Sequence, residues 1–124
     1  MKFYVAGKFQ DRKNVRKLMD KIQDLGHTIT YDWTIDEESD DGYPIVNTLR
    51  DTWGVQICDT YVGRFIKKNR YRGALVEFGI ALGLGKRICF IGHEADGCIF
   101  SNHPNVQRFD NEQEFLGYVE KVLR

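Results

Sequence analysis

Glu77 is the residue of this chain whose surroundings most require a chemical explanation. From Gly73 to Gly85 the sequence runs Gly-Ala-Leu-Val-Glu-Phe-Gly-Ile-Ala-Leu-Gly-Leu-Gly, and the glutamate is its one charged or polar side chain. A helix apolar on every side is a buried helix, so the pattern predicts a buried carboxylate. Such a group is costly unless something compensates it. Near the helix start, free N–H groups and the helix dipole favour an anion, which predicts that Glu77 stays ionised. An ionised, partly desolvated carboxylate is suited to nucleophilic attack on an anomeric carbon. The other reading is a glutamate that only complements the dipole or touches Arg70 or Arg72.

A basic turn, Lys67, Lys68, Arg70 and Arg72, immediately precedes that helix. Cations beside a helix N-terminus can hold a phosphate, although each alone also reads as a solvated charge. Tyr4, Phe9, Tyr31 and Trp33 fall near strand ends, where an aromatic ring either stacks on a base or packs in the core. Gly79, Gly83 and Gly85 each cost about 1 kcal/mol in a helix relative to alanine. Close packing on the sheet or on a second subunit would explain them.

Several chemistries lack their residues. No G-x-G-x-x-G follows the first strand and no Walker sequence is present, so dinucleotide and P-loop readings have no support. The acidic loop Asp36–Gly42 resembles a calcium loop, but Thr48 falls where a bidentate glutamate is needed. Cys89, His93, Cys98 and His103 form a loose cluster with zinc-binding side chains. Cys89 lies inside an apolar strand and there is no C-x-x-C, so no metal site is expected. None of the three histidines sits in a nucleophile motif. No cofactor is implied.

The elements that must position these residues alternate along the chain. Lys2–Gly7 reads as a buried strand, and Val15, Leu18, Met19, Ile22 and Leu25 recur at helical spacing before Gly26. Thr28–Trp33, β-branched and aromatic, reads as a second strand. Ile45, Leu49, Trp53 and Ile57 recur every fourth position and predict a helix with that stripe inward. On that pattern Asp51 lies off the stripe and faces solvent. Tyr61–Ile66 and Arg87–Gly92 read as the third and fourth strands, and Val106–Phe109 as a short fifth. Asp110-Asn-Glu-Gln113 is a capping pattern opening a last helix.

This alternation predicts an α/β chain with a mostly parallel sheet of about five strands covered on both faces. Right-handed crossovers make it a doubly wound, flavodoxin-like or Rossmann-like three-layer sandwich over residues 1–124, read as a single domain. Its ligand site should lie beyond the carboxyl ends of the strands, where Gly7–Asp11, Trp33–Asp36 and the 66–73 turn fall.

Apolar residues make up 42% and charged residues 29% of the 124, an ordinary globular composition. Lysine plus arginine equals aspartate plus glutamate at 18 each, so no net charge draws the chain to nucleic acid polymers or acidic membranes. No apolar run reaches the roughly 18 residues of a membrane span. The start carries no signal-peptide pattern. The three unpatterned cysteines suit reduced thiols, and the expected compartment is the cytoplasm.

Four features together resemble the nucleoside 2-deoxyribosyltransferase family, including its branch of 2'-deoxynucleoside 5'-phosphate N-hydrolases. They are Phe3-Tyr-Val-Ala-Gly7, Asp51 eight residues before Asp59, the strand after Asp59, and Gly73-Ala-Leu-Val-Glu-Phe-Gly-Ile-Ala81 followed by Gly85-Lys-Arg-Ile. The G-x-x-x-E-x-G-x-A segment is the most specific. The resemblance implies that Glu77 attacks C1' of the sugar, forming a glycosyl-enzyme with net retention, and that Asp51 assists departure of the base. It implies that Tyr4, Gly7 and Phe9 border the nucleoside, that Gly73 admits the sugar or phosphate, and that Asp32 and Trp33 meet the base. Tyr71 stands where relatives tend to carry aspartate or serine. Its hydroxyl would reach the sugar, and Arg72 the phosphate. The partner implied is a small nucleoside or nucleotide, and relatives are usually homodimers or larger homo-oligomers. A non-catalytic module that binds or senses a nucleotide is the alternative.

Overall fold

The computed structural model describes residues 1–36 and 45–123. Five strands form the sheet: β1 (Lys2–Ala6), β2 (Thr28–Ile29), β3 (Thr60–Arg64), β4 (Arg87–Ile91) and β5 (Val106–Phe109). Their order is β2-β1-β3-β4-β5, and every pairing is parallel. Four helices connect or follow them: α1 (Arg12–Asp24), α2 (Ile45–Ile57), α3 (Arg72–Gly83) and α4 (Glu112–Val122). Helix α1 packs with α4 and α2 with α3, as right-handed crossovers require on either side of the sheet. The doubly wound α/β prediction is therefore correct in class, strand number and strand direction.

The apolar runs become the central strands. Every residue of β3 is buried, as are Phe3–Ala6 of β1 and Ile88–Ile91 of β4. That is the pattern of strands covered on both faces. Val15, Leu18, Met19 and Ile22 form the buried face of α1, which closes at Gly26 with φ +94°. No helix among the described residues is long and apolar enough to cross a membrane.

Four local expectations are corrected. The second strand keeps only Thr28 and Ile29, and residues Trp33–Ile35 form a 3-10 turn instead. Asp32 accepts from the Thr34 N–H, and the Trp33 indole N–H donates 2.7 Å to Val5 O, so side chains claim the bonds that would have extended the strand. The stripe of α2 faces outward, with Ile45 79%, Leu49 64% and Trp53 50% exposed. Its inward face carries Asn47, Gly54 and Val55, with Asp51 half-buried between them. Helix α3 is not buried all round: Ala74, Phe78 and Ala81 face the sheet, whereas Val76 is exposed. Finally, α4 is capped one residue later than expected, by Asn111, whose side chain accepts from the Glu114 N–H. The acidic loop beyond Asp36 lies outside the described residues.

Candidate active site

At the carboxyl ends of β1 and β3 the chain encloses a cavity of about 410 Å3. The volume falls in the roughly 300–1,000 Å3 range of small-molecule sites. Gly7–Gln10 enter it from the loop after β1, and Trp33 and Asp36 from the turn after β2. Helix α2 contributes Asn47, Thr48 and Asp51, and α3 contributes Arg72, Gly73, Ala74 and Glu77 behind Tyr71.

Glu77 sits on the second turn of α3, past the free amides of the first turn. The expectation that helix N–H groups hold it ionised is overturned. Its partner is the Tyr4 hydroxyl, which donates to Oε2 from the middle of β1. Burial pushes the Glu77 carboxyl up to about 8; the Tyr4 hydrogen bond opposes this, and the Asp51 charge adds to it. Burial, and then the charge of Glu77, hold the Tyr4 phenol well above its ordinary range, so it remains a donor.

Asp51 is the second carboxyl of the cavity. Burial, with the charge of Asp36 behind it, raises its pKa to about 6. Its Oδ1 is buried without a hydrogen-bond partner. Two relationships fix α2 at this depth. Thr30 Oγ1 donates 2.7 Å to Gly54 O, and an added Cβ on Gly54 would lie 2.9 Å from both Tyr31 Cβ and Tyr4 Cδ2. The glycine is thus what allows α2 to approach β1 closely enough to present Asp51. Asp36 is held at the cavity by the Tyr31 hydroxyl, 2.5 Å from its Oδ1.

The N-terminus of α3 forms the opposite chemistry. Tyr71 precedes it in the left-handed conformation (φ 51°, ψ 41°) and gives no side-chain cap. For a residue other than glycine this conformation costs about 1–3 kcal/mol and persists only where surroundings enforce it. Here the Tyr71 hydroxyl donates to Lys67 O and its ring meets Phe65 edge-on at 4.9 Å. The first helical bond runs from Leu75 N to Tyr71 O, so the amides of Arg72, Gly73 and Ala74 have no partner within the helix. With Lys8 and Arg72 beside them, these amides make the cationic rim of the cavity.

The turn behind that rim is anchored by buried charge. Arg64, at the end of β3, bonds Asp11 and, at 2.7 Å, Glu112; Lys67 reaches Asp11 at 2.8 Å. Burial alone would raise the Asp11 pKa, but its bonds to Lys67 and Asn14 and the Arg64 charge lower it.

The structure therefore brings Glu77, Asp51, Gly7, Phe9, Trp33, Tyr71, Arg72 and Gly73 to one cavity. Tyr4 is fully buried below it and touches Glu77 rather than the open space. Asp32 does not line it; its carboxylate is taken by the Thr34 N–H and hydroxyl. Of the basic turn, Arg72 alone lines the cavity, and the Tyr71 hydroxyl is spent on the turn itself. Sequence reasoning placed Lys8, Gln10 and Asp36 in the loops beyond the strand ends without singling them out, and missed Asn47, Thr48 and Ala74. Lys8 and Gln10 flank Phe9 in the strand-end loop and could have been found from it. Asn47 lies one turn before Asp51 and could have been found once that face was known to point inward. Among the described residues no group of three or more His, Cys, Asp or Glu side chains is placed to hold a metal, and Cys89 is buried in β4.

Solved structures share this fold over nearly the whole chain, among them the following three. The 2-deoxyribosyltransferase of Bacillus psychrosaccharolyticus superposes with a TM-score of 0.75 at 19% identity, covering 95% of this chain and 92% of its own. A conserved protein from Enterococcus faecalis gives 0.70 at 15% identity, covering 97% of both chains. The CMP N-glycosidase BcmB of Clostridium botulinum gives 0.66 at 20% identity, covering 97% and 98%. No family model matches the sequence, and no curated protein matches it. The fold is the one that a CMP N-glycosidase and a 2-deoxyribosyltransferase adopt.

Proposed function

We propose that the chain cleaves the N-glycosidic bond of a nucleoside 5'-monophosphate, with Glu77 as nucleophile and water as the final acceptor. The observation that carries this reading is the pair of desolvated carboxyls, Glu77 and Asp51, in the one cavity that also bears a cationic rim. Glu77 attacks C1', and the electrons of the C1'–N bond leave with the base, which takes a proton from Asp51. Water then adds to C1', giving its proton to Asp51, and the sugar phosphate leaves as Glu77 is restored. Tyr4 holds Oε2 by its hydrogen bond, which leaves Oε1 for the attack. Between about pH 6 and 8 the pair retains one proton, and the productive form places it on Asp51. The phosphate sits at Lys8, Arg72 and the α3 amides, where a nucleoside would leave the charge unmatched. That CMP is the substrate named for one structural neighbour agrees with this choice.

The outward faces of α2 and α3 are read as the seat of a second copy. Leu49, Trp53 and Val76 are exposed there, and a Cβ added at Gly79 or Gly83 would meet nothing within 4 Å. The sheet does not explain these glycines, which leaves the second of the two explanations offered by the sequence. A nucleotide substrate and reduced thiols are consistent with a cytoplasmic protein.

The test incubates the protein with nucleosides and their 5'-monophosphates, ribo and deoxy, with and without an added free base. Base release without exchange supports the hydrolase; exchange makes it a transferase; binding without turnover makes it a sensor. Glu77→Gln should bind substrate without turning it over, and full turnover by Glu77→Ala would overturn the mechanism.

A further inference from the structure

We propose that Asn47 is the residue that reads the nucleobase, an inference that rests on the glycosidase reading above. Asn47 is the third residue of α2, lines the cavity and is only 7% exposed. Among the described residues no hydrogen-bond partner takes its side-chain amide. A polar side chain this buried has little solvent of its own, so an amide left without a protein partner at the cavity wall is placed to meet whatever fills the cavity. Asp51 follows four residues later, on the same helical face, with its buried Oδ1 also unpartnered. Helix α2 thus turns two unmatched groups, an amide and a carboxyl, toward the same space.

Charge fixes which part of a nucleotide lies there. The phosphate belongs at Lys8, Arg72 and the amides of α3, and C1' at Glu77. Of the remaining polar lining, Gln10 is exposed, Thr48 donates to Ile45 O and Asp36 accepts from Tyr31, so the base extends to Asn47 and Asp51 in a cavity that the Trp33 and Phe9 rings also line. Asp51 supplies the proton that the departing base takes, and Asn47 offers a donor and an acceptor side by side to the neighbouring heteroatoms. Every nucleobase edge presents such groups, and which arrangement fits decides the substrate.

The experiment compares wild type, Asn47→Ala and Asn47→Asp. It measures kcat/KM on CMP, UMP, AMP and IMP and their deoxy forms, and inhibition by ribose 5-phosphate and deoxyribose 5-phosphate, which lack a base. Asn47→Ala should lower kcat/KM about 10- to 100-fold and leave inhibition by the base-free sugar phosphates unchanged. Asn47→Asp, which replaces the donor by a second acceptor once its carboxyl is ionised, should raise the ratio of amino-bearing to carbonyl-bearing bases, and the ratio should grow as pH rises through that ionisation. Equal losses on nucleotides and sugar phosphates would overturn the proposal, as would unchanged kcat/KM and base ratios in both variants. Asn47→Ser, which keeps a small polar group, replaces Asn47→Ala if thermal melting shows that variant unfolded. If wild type cleaves no nucleotide, the glycosidase reading fails on its own. Calorimetric binding of CMP and of ribose 5-phosphate then decides Asn47 separately: weakening of CMP alone supports it, and no change overturns it.

Discussion

The hydroxyl of Tyr4, on β1, donates to Oε2 of Glu77, on α3, and so ties the centre of the sheet to the carboxyl at the cavity. A hydrogen bond given to a carboxylate favours the charged form, which is the one the proposed mechanism requires. Tyr4→Phe removes the donor while keeping the stacked ring that faces Tyr61. Glu77 should then hold its proton more tightly, and the acid limb of kcat against pH should move up by about one unit. A pH–rate profile of the two proteins checks this.

Glu77 also sets how stability depends on pH. Its pKa lies near 8 in the fold, above the ordinary 4.5. Below that ordinary value both states are protonated and no penalty applies. As pH rises toward 8 the unfolded chain releases its proton first, so folding stability falls, and above 8 the loss is complete. Glu77→Gln should therefore melt higher than wild type at pH 8, by a margin corresponding to about 2–4 kcal/mol, and nearly equal to it at pH 4. Melting curves at both pH values read the difference.

The cationic rim predicts a preference for phosphate. Lys8→Ala and Arg72→Ala should each raise KM for a nucleoside monophosphate about 10-fold while leaving the matching nucleoside nearly unaffected. Paired kinetics on CMP and cytidine measure it. Equal losses on both would place the phosphate elsewhere.

Gly54 offers a test of positioning rather than contact. A methyl group at this residue would press on Tyr31 Cβ and the Tyr4 ring, both 2.9 Å from the added carbon. Gly54→Ala should cost about 1–3 kcal/mol in stability. If Asp51 acts as proposed, it should also lower kcat more than it raises KM, because α2 would carry Asp51 away from Glu77. Denaturant unfolding and steady-state kinetics separate the two effects.

The strands, their direction and the place of the cavity were legible because continuous apolar runs and right-handed crossovers leave few arrangements. Glu77 was legible as a charge without company in an apolar segment. Its protonation was not, since that depends first on the depth of its burial in the fold and then on a tyrosine 73 residues earlier in the chain. The face of α2 misled for a different reason. Periodicity assumes that apolar side chains turn to the chain's own core, whereas here the inward face belongs to Asn47, Asp51 and Gly54, and the apolar stripe lies outside. Asp32 was misplaced because its carboxylate serves a local turn, a bond that no pattern of hydropathy records.

The position of β1 between β2 and β3 governs the order in which the molecule can be built. Phe3 through Ala6 find their strand partners at Thr60 through Gly63, so a nascent chain ending before those residues holds its first strand by the short pairing with β2, the Trp33 bond to Val5 O and the packing of α1. Glu77 emerges later still, and Tyr4 waits until then for the group it bonds. Tyr4 is thus made 73 residues before the group it bonds, a contact of high sequence separation, so loss of Tyr4 or Glu77 should register mainly in the unfolding rate rather than the refolding rate.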